Sequence, residues 1–220
     1  MFLRIEQLLT AAEVQAIAEL ARQTKFLSGR ASNPHNATKN NVIQDPADPT
    51  GQKASQLALA AVQRNEQARL FALPKRMAVP QLLKYGPGMN YGAHVDAAFM
   101  NVGAQPLRSD VSCTIFVSDP ADYEGGELAI SLGSETVRIR GKAGDAVFYP
   151  STTLHEVAPI SSGERLVLIT FIESQIPAGE HRDLIYTLNE VRALEGLKMD
   201  WRNRMHLEYV IANLQRMWSR

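Results

Sequence analysis

The stretch QLLKYGPGMNYGAHVD, Gln81–Asp96, decides how the rest of the chain is read. A mostly apolar run, Val79–Leu83, leads to Tyr85. Gly86-Pro87-Gly88 then reverses the chain, and a second short extended segment delivers His94 and Asp96. Side chains two apart in a strand point to the same face, so an imidazole and a carboxylate are expected side by side, facing one cavity.

A second imidazole would complete a metal site. Two imidazole nitrogens and one carboxylate on one face of an octahedron, with the opposite face open, is the donor set of non-haem Fe(II) oxygenases. Thr153–Val157, reading TLHEV, supplies His155 between the strand-like runs Ala146–Tyr149 and Leu166–Phe171. Beyond it Arg165 opens the apolar run Leu166–Thr170, where a guanidinium can reach into the same cavity and grip a carboxylate through two parallel hydrogen bonds. Each element has a plainer reading. An isolated His-x-Asp can sit on any solvent-facing strand edge, His155 alone reads equally as a core histidine, and Arg165 follows the turn Ser161-Ser162-Gly163-Glu164 as a solvated charge would. Their joint occurrence, in order and on separate strand-like segments, favours a site.

Around these residues the chain reads as mainly β with flanking helices. Thr10 and Glu13 form a capping-box pattern ahead of Val14, Ile17, Leu20 and Ala21, which predicts an amphipathic helix. Phe26–Pro49 is polar and rich in Asn and Pro, and reads as a long loop with one short strand at Val42-Ile43. Its portion Ser28–Asp45, with Lys39 and several Asn side chains, is expected to cover the mouth of the cavity and to order on substrate binding. A second helix is expected through Ala54–Leu70, stopping before Pro74. Short β segments follow at Arg76–Tyr85, Tyr91–Asp96, Asp110–Val117, Glu127–Ser131, Thr136–Ile139, Ala146–Tyr149, Thr153–Val157 and Arg165–Ile172. About eight such strands with tight turns predict a double-stranded β-helix, or jelly roll, whose mouth gathers the site. Gly125-Gly126 and Gly141 to Gly144 are assigned to turn geometry, without a catalytic role.

The tail returns to helical spacing, with Leu184, Leu188, Val191 and Leu194 in one run and Leu207, Val210, Ile211, Leu214 and Trp218 in another. Two helices packed on the barrel or on a second subunit are expected, so a homo-oligomer through the C-terminal helices is one reading. The resulting division is 1–75, an N-terminal support of helices and loop; 76–176, the double-stranded β-helix core; and 177–220, a helical extension.

Composition narrows the partners. The chain has 220 residues, with 23 Lys and Arg against 23 Asp and Glu. No global field favours nucleic acid or a membrane surface, and the partner is expected to be a small molecule or a peptide. The start, MFLRIEQLLTAAEV, lacks a secretory pattern and no run approaches a membrane span, so a cytoplasmic location is expected. The lone Cys113 fits a reducing compartment and reads as a small buried side chain. His35, His181 and His206 sit in loop or helical contexts with no carboxylate at the spacing that a ligand pair needs there, and are set aside as non-ligands.

The segments LLKYGPGMNYGAHVD (Leu82–Asp96), YEGGELAI (Tyr123–Ile130) and KAGDAVFYPSTTLHEVAPISSGERLVLITFIES (Lys142–Ser174) resemble the Fe(II)- and 2-oxoglutarate-dependent dioxygenases of the prolyl-hydroxylase type, and most of all the bacterial PKHD-type hydroxylases. The resemblance implies that His94, Asp96 and His155 are iron ligands and that Arg165 binds the distal carboxylate of 2-oxoglutarate. It places Tyr85 where related hydroxylases carry a tyrosine that touches the cosubstrate, although a wall role for its ring is also open. It implies hydroxylation of a C–H bond with release of succinate and carbon dioxide, with L-ascorbate as an optional reductant. Two other classes stay open on the residues alone: a cupin-like metal isomerase or epimerase, and a non-catalytic metal- or ligand-binding barrel.

Overall fold

The computed structural model describes residues 1–31, 36 and 38–220. From the N-terminus the chain forms β1 (Leu3–Ile5), α1 (Ala11–Gln23), β2 (Phe26–Ser28), β3 (Lys39–Asn40) and β4 (Val42–Gln44), then α2 (Pro49–Arg64) and α3 (Glu66–Ala72). The strand-rich middle holds β5 (Pro74–Met77), β6 (Gln81–Tyr85), β7 (Asn90–His94), the hairpin of β8 (Phe99–Val102) and β9 (Gln105–Arg108), β10 (Val111–Phe116) and β11 (Tyr123–Gly125). It continues through β12 (Leu128–Leu132), β13 (Glu135–Ile139), β14 (Ala146–Pro150), β15 (His155–Val157), β16 (Ile160–Gly163) and β17 (Arg165–Ser174), and the chain ends on α4 (Gly179–Glu195) and α5 (Trp201–Trp218).

Two sheets build the core. The larger has the order β1-β14-β10-β17-β6-β4-β2, with β5 added against β17, and the smaller has the order β13-β12-β15-β7-β3. Taken in sequence, β6, β10, β14 and β17 enter the larger sheet while β7, β12, β13 and β15 enter the smaller. This shuttling between facing sheets is the expected double-stranded β-helix. The larger sheet is apolar on both faces because both are covered. In β17, Leu166, Leu168 and Ile172 join a core with Ile17, Ala58 and Phe71 of the helices, while Val167 and Ile169 face the barrel interior with Leu83, Leu128 and Tyr149. The same period-two division runs along β14, with Phe148 outward to the helices and Tyr149 inward. Each fully buried Leu, Ile or Phe on these faces contributes about 1.5–3 kcal/mol.

Every expected strand of the core is present, with shifted ends. The run Arg76–Tyr85 is two strands, because Pro80 has no N–H to continue the ladder between β5 and β6. The expected helix through Ala54–Leu70 is also two. The Asn65 side chain accepts a hydrogen bond from the Ala68 N–H at 2.9 Å, capping α3 and interrupting the helical run. The Thr10–Glu13 capping box forms as read.

The segment Phe26–Pro49, expected as a loop with one strand, contains three strands among its described residues. β2 and β4 extend the larger sheet and β3 adds to the smaller one against β7, so these strands join both sheets and bring Lys39 and Ile43 into the cavity lining. Single strands this short take their stability from the sheet they join, which their own sequence does not advertise. Part of the stretch proposed to cover the mouth, and His35 with it, lies outside the described residues.

The tail is helical, yet α4 buries a different stripe from the one its leucines predict. Arg182, Ile185, Tyr186 and Asn189 are buried, whereas Leu184 and Leu194 are 55% and 71% exposed. The phase is set by anchors. Arg182 donates to the carbonyls of Ile176 (2.8 Å) and Pro177 (2.7 Å), and the Tyr186 ring meets Phe71 edge-on at 5.5 Å. No helix among the described residues is long and apolar enough to cross a membrane.

Candidate metal and cosubstrate centre

His94 and His155 meet as register partners across the antiparallel pair β7 and β15. Asp96 arrives differently from the expectation. β7 ends at His94, so Asp96 enters from the irregular stretch beyond it, and its position is fixed by a hydrogen bond instead of by strand alternation. The Ser112 hydroxyl donates to Asp96 Oδ2 at 2.5 Å, and the Ser151 hydroxyl lies 2.7 Å from that of Ser112. One ligand-type atom from each of His94, Asp96 and His155 lies within 4.8 Å of the others, and this is the one such group of His, Cys, Asp and Glu among the described residues.

Both imidazoles are oriented from behind. His94 Nδ1 lies 2.8 Å from the Gly92 carbonyl and His155 Nδ1 lies 2.9 Å from the Thr153 carbonyl. A carbonyl oxygen only accepts, so each Nδ1 carries a proton and each Nε2 is the nitrogen left to face a metal. Burial, and then the neighbouring His155, pushes the His94 imidazole down to about 4, so at neutral pH it stands deprotonated and ready to ligate. Tyr91 stacks on His94 with ring centroids 3.6 Å apart, and the Tyr149 ring meets His155 edge-on at 5.0 Å.

Arg165 and Tyr85 form the second pair, as register partners across β17 and β6. Both are almost fully buried, and the Arg165 guanidinium carbon lies 5.1 Å from the Tyr85 ring centroid and 5.6 Å from that of Phe116. None of the guanidinium nitrogens has a hydrogen-bond partner among the described residues. A buried cation with unused donors is expensive unless an anion completes it. Room for its stem comes from Gly126 at φ +66°, where a Cβ would stand 2.9 Å from Arg165 Cδ. Burial raises the Tyr85 phenol above its usual range, with Arg165 opposing, so it stays a neutral donor.

These residues line one cavity of about 370 Å³, together with Lys39, Met100 and Ser112. All five residues singled out in the sequence therefore meet in one place. His181 and His206 do not join them, and His181 stacks instead on Trp218 with centroids 4.0 Å apart. Ser112, Tyr91 and Tyr149 are further members of the site that the sequence pattern does not single out as ligands. Ser112 had a signal: Ser112 and Thr114 are polar at alternate positions of the otherwise apolar Val111–Phe116, which marks one face of β10 as facing a polar site.

The family model of the 2OG-Fe(II) oxygenase superfamily matches residues 80–173. A PKHD-type hydroxylase of Sphingopyxis alaskensis is 46% identical over 218 residues, covering 99% of each chain. The chain belongs to the PKHD-type hydroxylases. Among solved structures, a prolyl-4-hydroxylase of Pseudomonas putida superposes with a TM-score of 0.55 at 23% identity, over 79% of this chain and 92% of its own. HygX from Streptomyces hygroscopicus, solved with nickel, 2-oxoglutarate and hygromycin B bound, gives a TM-score of 0.53 at 14% identity over 79% and 82%. At those identities both show the jelly-roll fold. This PKHD-type hydroxylase is an Fe(II)- and 2-oxoglutarate-dependent enzyme, and its residues suit both groups: two imidazoles and a carboxylate for the iron, a buried guanidinium with donors unused among the described residues for a carboxylate.

Proposed function

We propose that His94, Asp96 and His155 hold the Fe(II), and that Arg165, with Tyr85 beside it, binds the distal carboxylate of 2-oxoglutarate. The observation that carries this reading is that two cross-strand pairs, His94 with His155 and Tyr85 with Arg165, come from opposite sheets and line the same cavity. When bound, iron and 2-oxoglutarate supply the oxidising chemistry: dioxygen is consumed, succinate and carbon dioxide leave, and a substrate C–H becomes C–OH.

The protein's part is placement. The carbonyls of Gly92 and Thr153 fix the imidazole tautomers, and Ser112 occupies Asp96 Oδ2 so that the carboxylate keeps one orientation. Arg165 fixes the cosubstrate by its far end, which leaves its reacting end free to meet the metal. Leu83, Leu128 and Val167 line the cavity with apolar surface that keeps water from the reacting groups.

The primary substrate in this reading is a small molecule or a peptide side chain, for which a cavity of about 370 Å³ shared with the cosubstrate leaves room for one compact group. Residues 76–176 carry the catalytic core, supported by 1–75 and 177–220, and L-ascorbate serves as the optional reductant. The exposed Leu194, Leu197 and Trp201 support a homo-oligomer through the C-terminal helices, and the buried, unpaired Cys113 supports a cytoplasmic location. The balanced charge supports neither nucleic acid nor membrane as partner.

The test is succinate formation by the Fe(II)-loaded protein. Asp96→Ala is expected to abolish it, and turnover at the wild-type rate in that variant would refute the assignment.

A further inference from the structure

We propose that Lys39 docks a carboxylate of the primary substrate, so that the enzyme selects molecules carrying a negative charge close to the C–H bond they present. This rests on the assignment of iron to His94, Asp96 and His155 and of 2-oxoglutarate to Arg165.

Lys39 belongs to β3, the edge strand of the smaller sheet, directly opposite Tyr91 of β7. It is 6% exposed and its side chain lines the cavity. Its Nζ lies 5.0 Å from the centre of the Tyr91 ring, and that ring stacks on His94. The ammonium is thus carried by the sheet that holds the two histidines, facing the sheet that holds Arg165.

The charges in the cavity do not balance. Its charged lining among the described residues consists of two cations, Lys39 and Arg165, against one anion, Asp96. Residues 32–35 and 37 (Ser, Asn, Pro, His and Ala) contain no carboxylate, so they add no negative charge. A doubly positive iron and a doubly negative 2-oxoglutarate cancel on loading. The loaded cavity therefore keeps one positive charge in a low-dielectric space, which favours a ligand that brings one negative charge. Arg165 is committed to the cosubstrate and Asp96 to the metal, and Lys39 lines the cavity from the wall that β3 and β7 form. Desolvation holds this ammonium below the ordinary lysine range while Asp96 opposes the shift, so an arriving anion repays part of the cost of burying it. One net positive charge matches a carboxylate better than a phosphate dianion.

The experiment uses the full chain loaded with Mn(II), a redox-silent paramagnetic probe, and saturating 2-oxoglutarate. Matched fragment pairs, each a small carboxylate and its primary amide, are screened by the metal-enhanced relaxation of the fragment protons, which reports binding beside the metal. The wild-type protein is expected to bind carboxylates and pass over their amides. Lys39→Met should weaken carboxylate binding by about tenfold or more, while Lys39→Arg keeps the preference and both variants bind Mn(II) and 2-oxoglutarate within about twofold of wild type. Carboxylates and amides binding alike in the wild type, or a preference that survives in Lys39→Met, would overturn the proposal alone. A wild-type protein that fails to bind Mn(II) and 2-oxoglutarate together would overturn the assignment beneath it.

Discussion

Arg165 stands directly opposite Tyr85 across β17 and β6, its guanidinium carbon 5.1 Å from the Tyr85 ring centroid and none of its nitrogens bonded to another described residue. The aromatic ring supports the cation's face and leaves its donors aimed into the cavity. Arg165→Ala should raise the 2-oxoglutarate concentration needed for binding by about thirtyfold to several thousandfold, corresponding to about 2–5 kcal/mol. Calorimetric titration checks this, with metal affinity expected to stay near the wild-type value.

Gly126 tests the same cation indirectly. A Cβ there would meet Ile160 Cδ1 at 2.3 Å and Arg165 Cδ at 2.9 Å, on a backbone with φ +66°. Gly126→Ala is expected to destabilise the fold by about 1–3 kcal/mol and to weaken 2-oxoglutarate binding in the protein that remains folded. Thermal unfolding with and without cosubstrate separates the two effects.

Ser112→Ala removes the hydroxyl that holds Asp96 Oδ2. Divalent-metal affinity should fall by about 10–100-fold, with Ser112→Thr retaining most of it. Titration with Co(II), followed by its visible absorption, reads the loss and any change in coordination geometry independently of turnover.

Far from the site, Arg64 ties α2 to α1 through Glu13, with Nη1 and Nη2 each 2.6 Å from a carboxylate oxygen. The Arg64 hydrogen bond, working against partial burial, lowers the Glu13 carboxyl to about 2 from its usual 4.5. Because the folded value is the lower one, the unfolded chain takes up the proton first. The contribution is complete above pH 4.5 and is lost as pH falls toward about 2. For so exposed a pair it amounts to about 0.2–1 kcal/mol. Glu13→Gln should therefore lower the melting temperature at pH 7 and make no difference near pH 2.

Much of this was legible in the sequence because the relevant signals are local. The strand pattern of the core, the capping box at Thr10 and the order of His94, Asp96, His155 and Arg165 all depend on neighbours in the chain. What escaped depends on distant partners. β3 is two residues long and exists because β7 lies beside it. Asp96 keeps its place through Ser112, from a strand the linear sequence separates from it. The buried stripe of α4 follows the anchors Arg182 and Tyr186 instead of its own leucines.

The ligand set His94, Asp96 and His155 is tested most directly by an anaerobic titration of the metal-free protein with Fe(II) in the presence of 2-oxoglutarate, following the visible charge-transfer absorption that a chelated 2-oxo acid gives with ferrous iron. The band should saturate at one iron per chain in the wild type and be missing in His155→Ala, while Arg165→Ala reaches it only at raised 2-oxoglutarate. A His155→Ala protein that develops the full band with wild-type affinity would show that His155 is not an iron ligand.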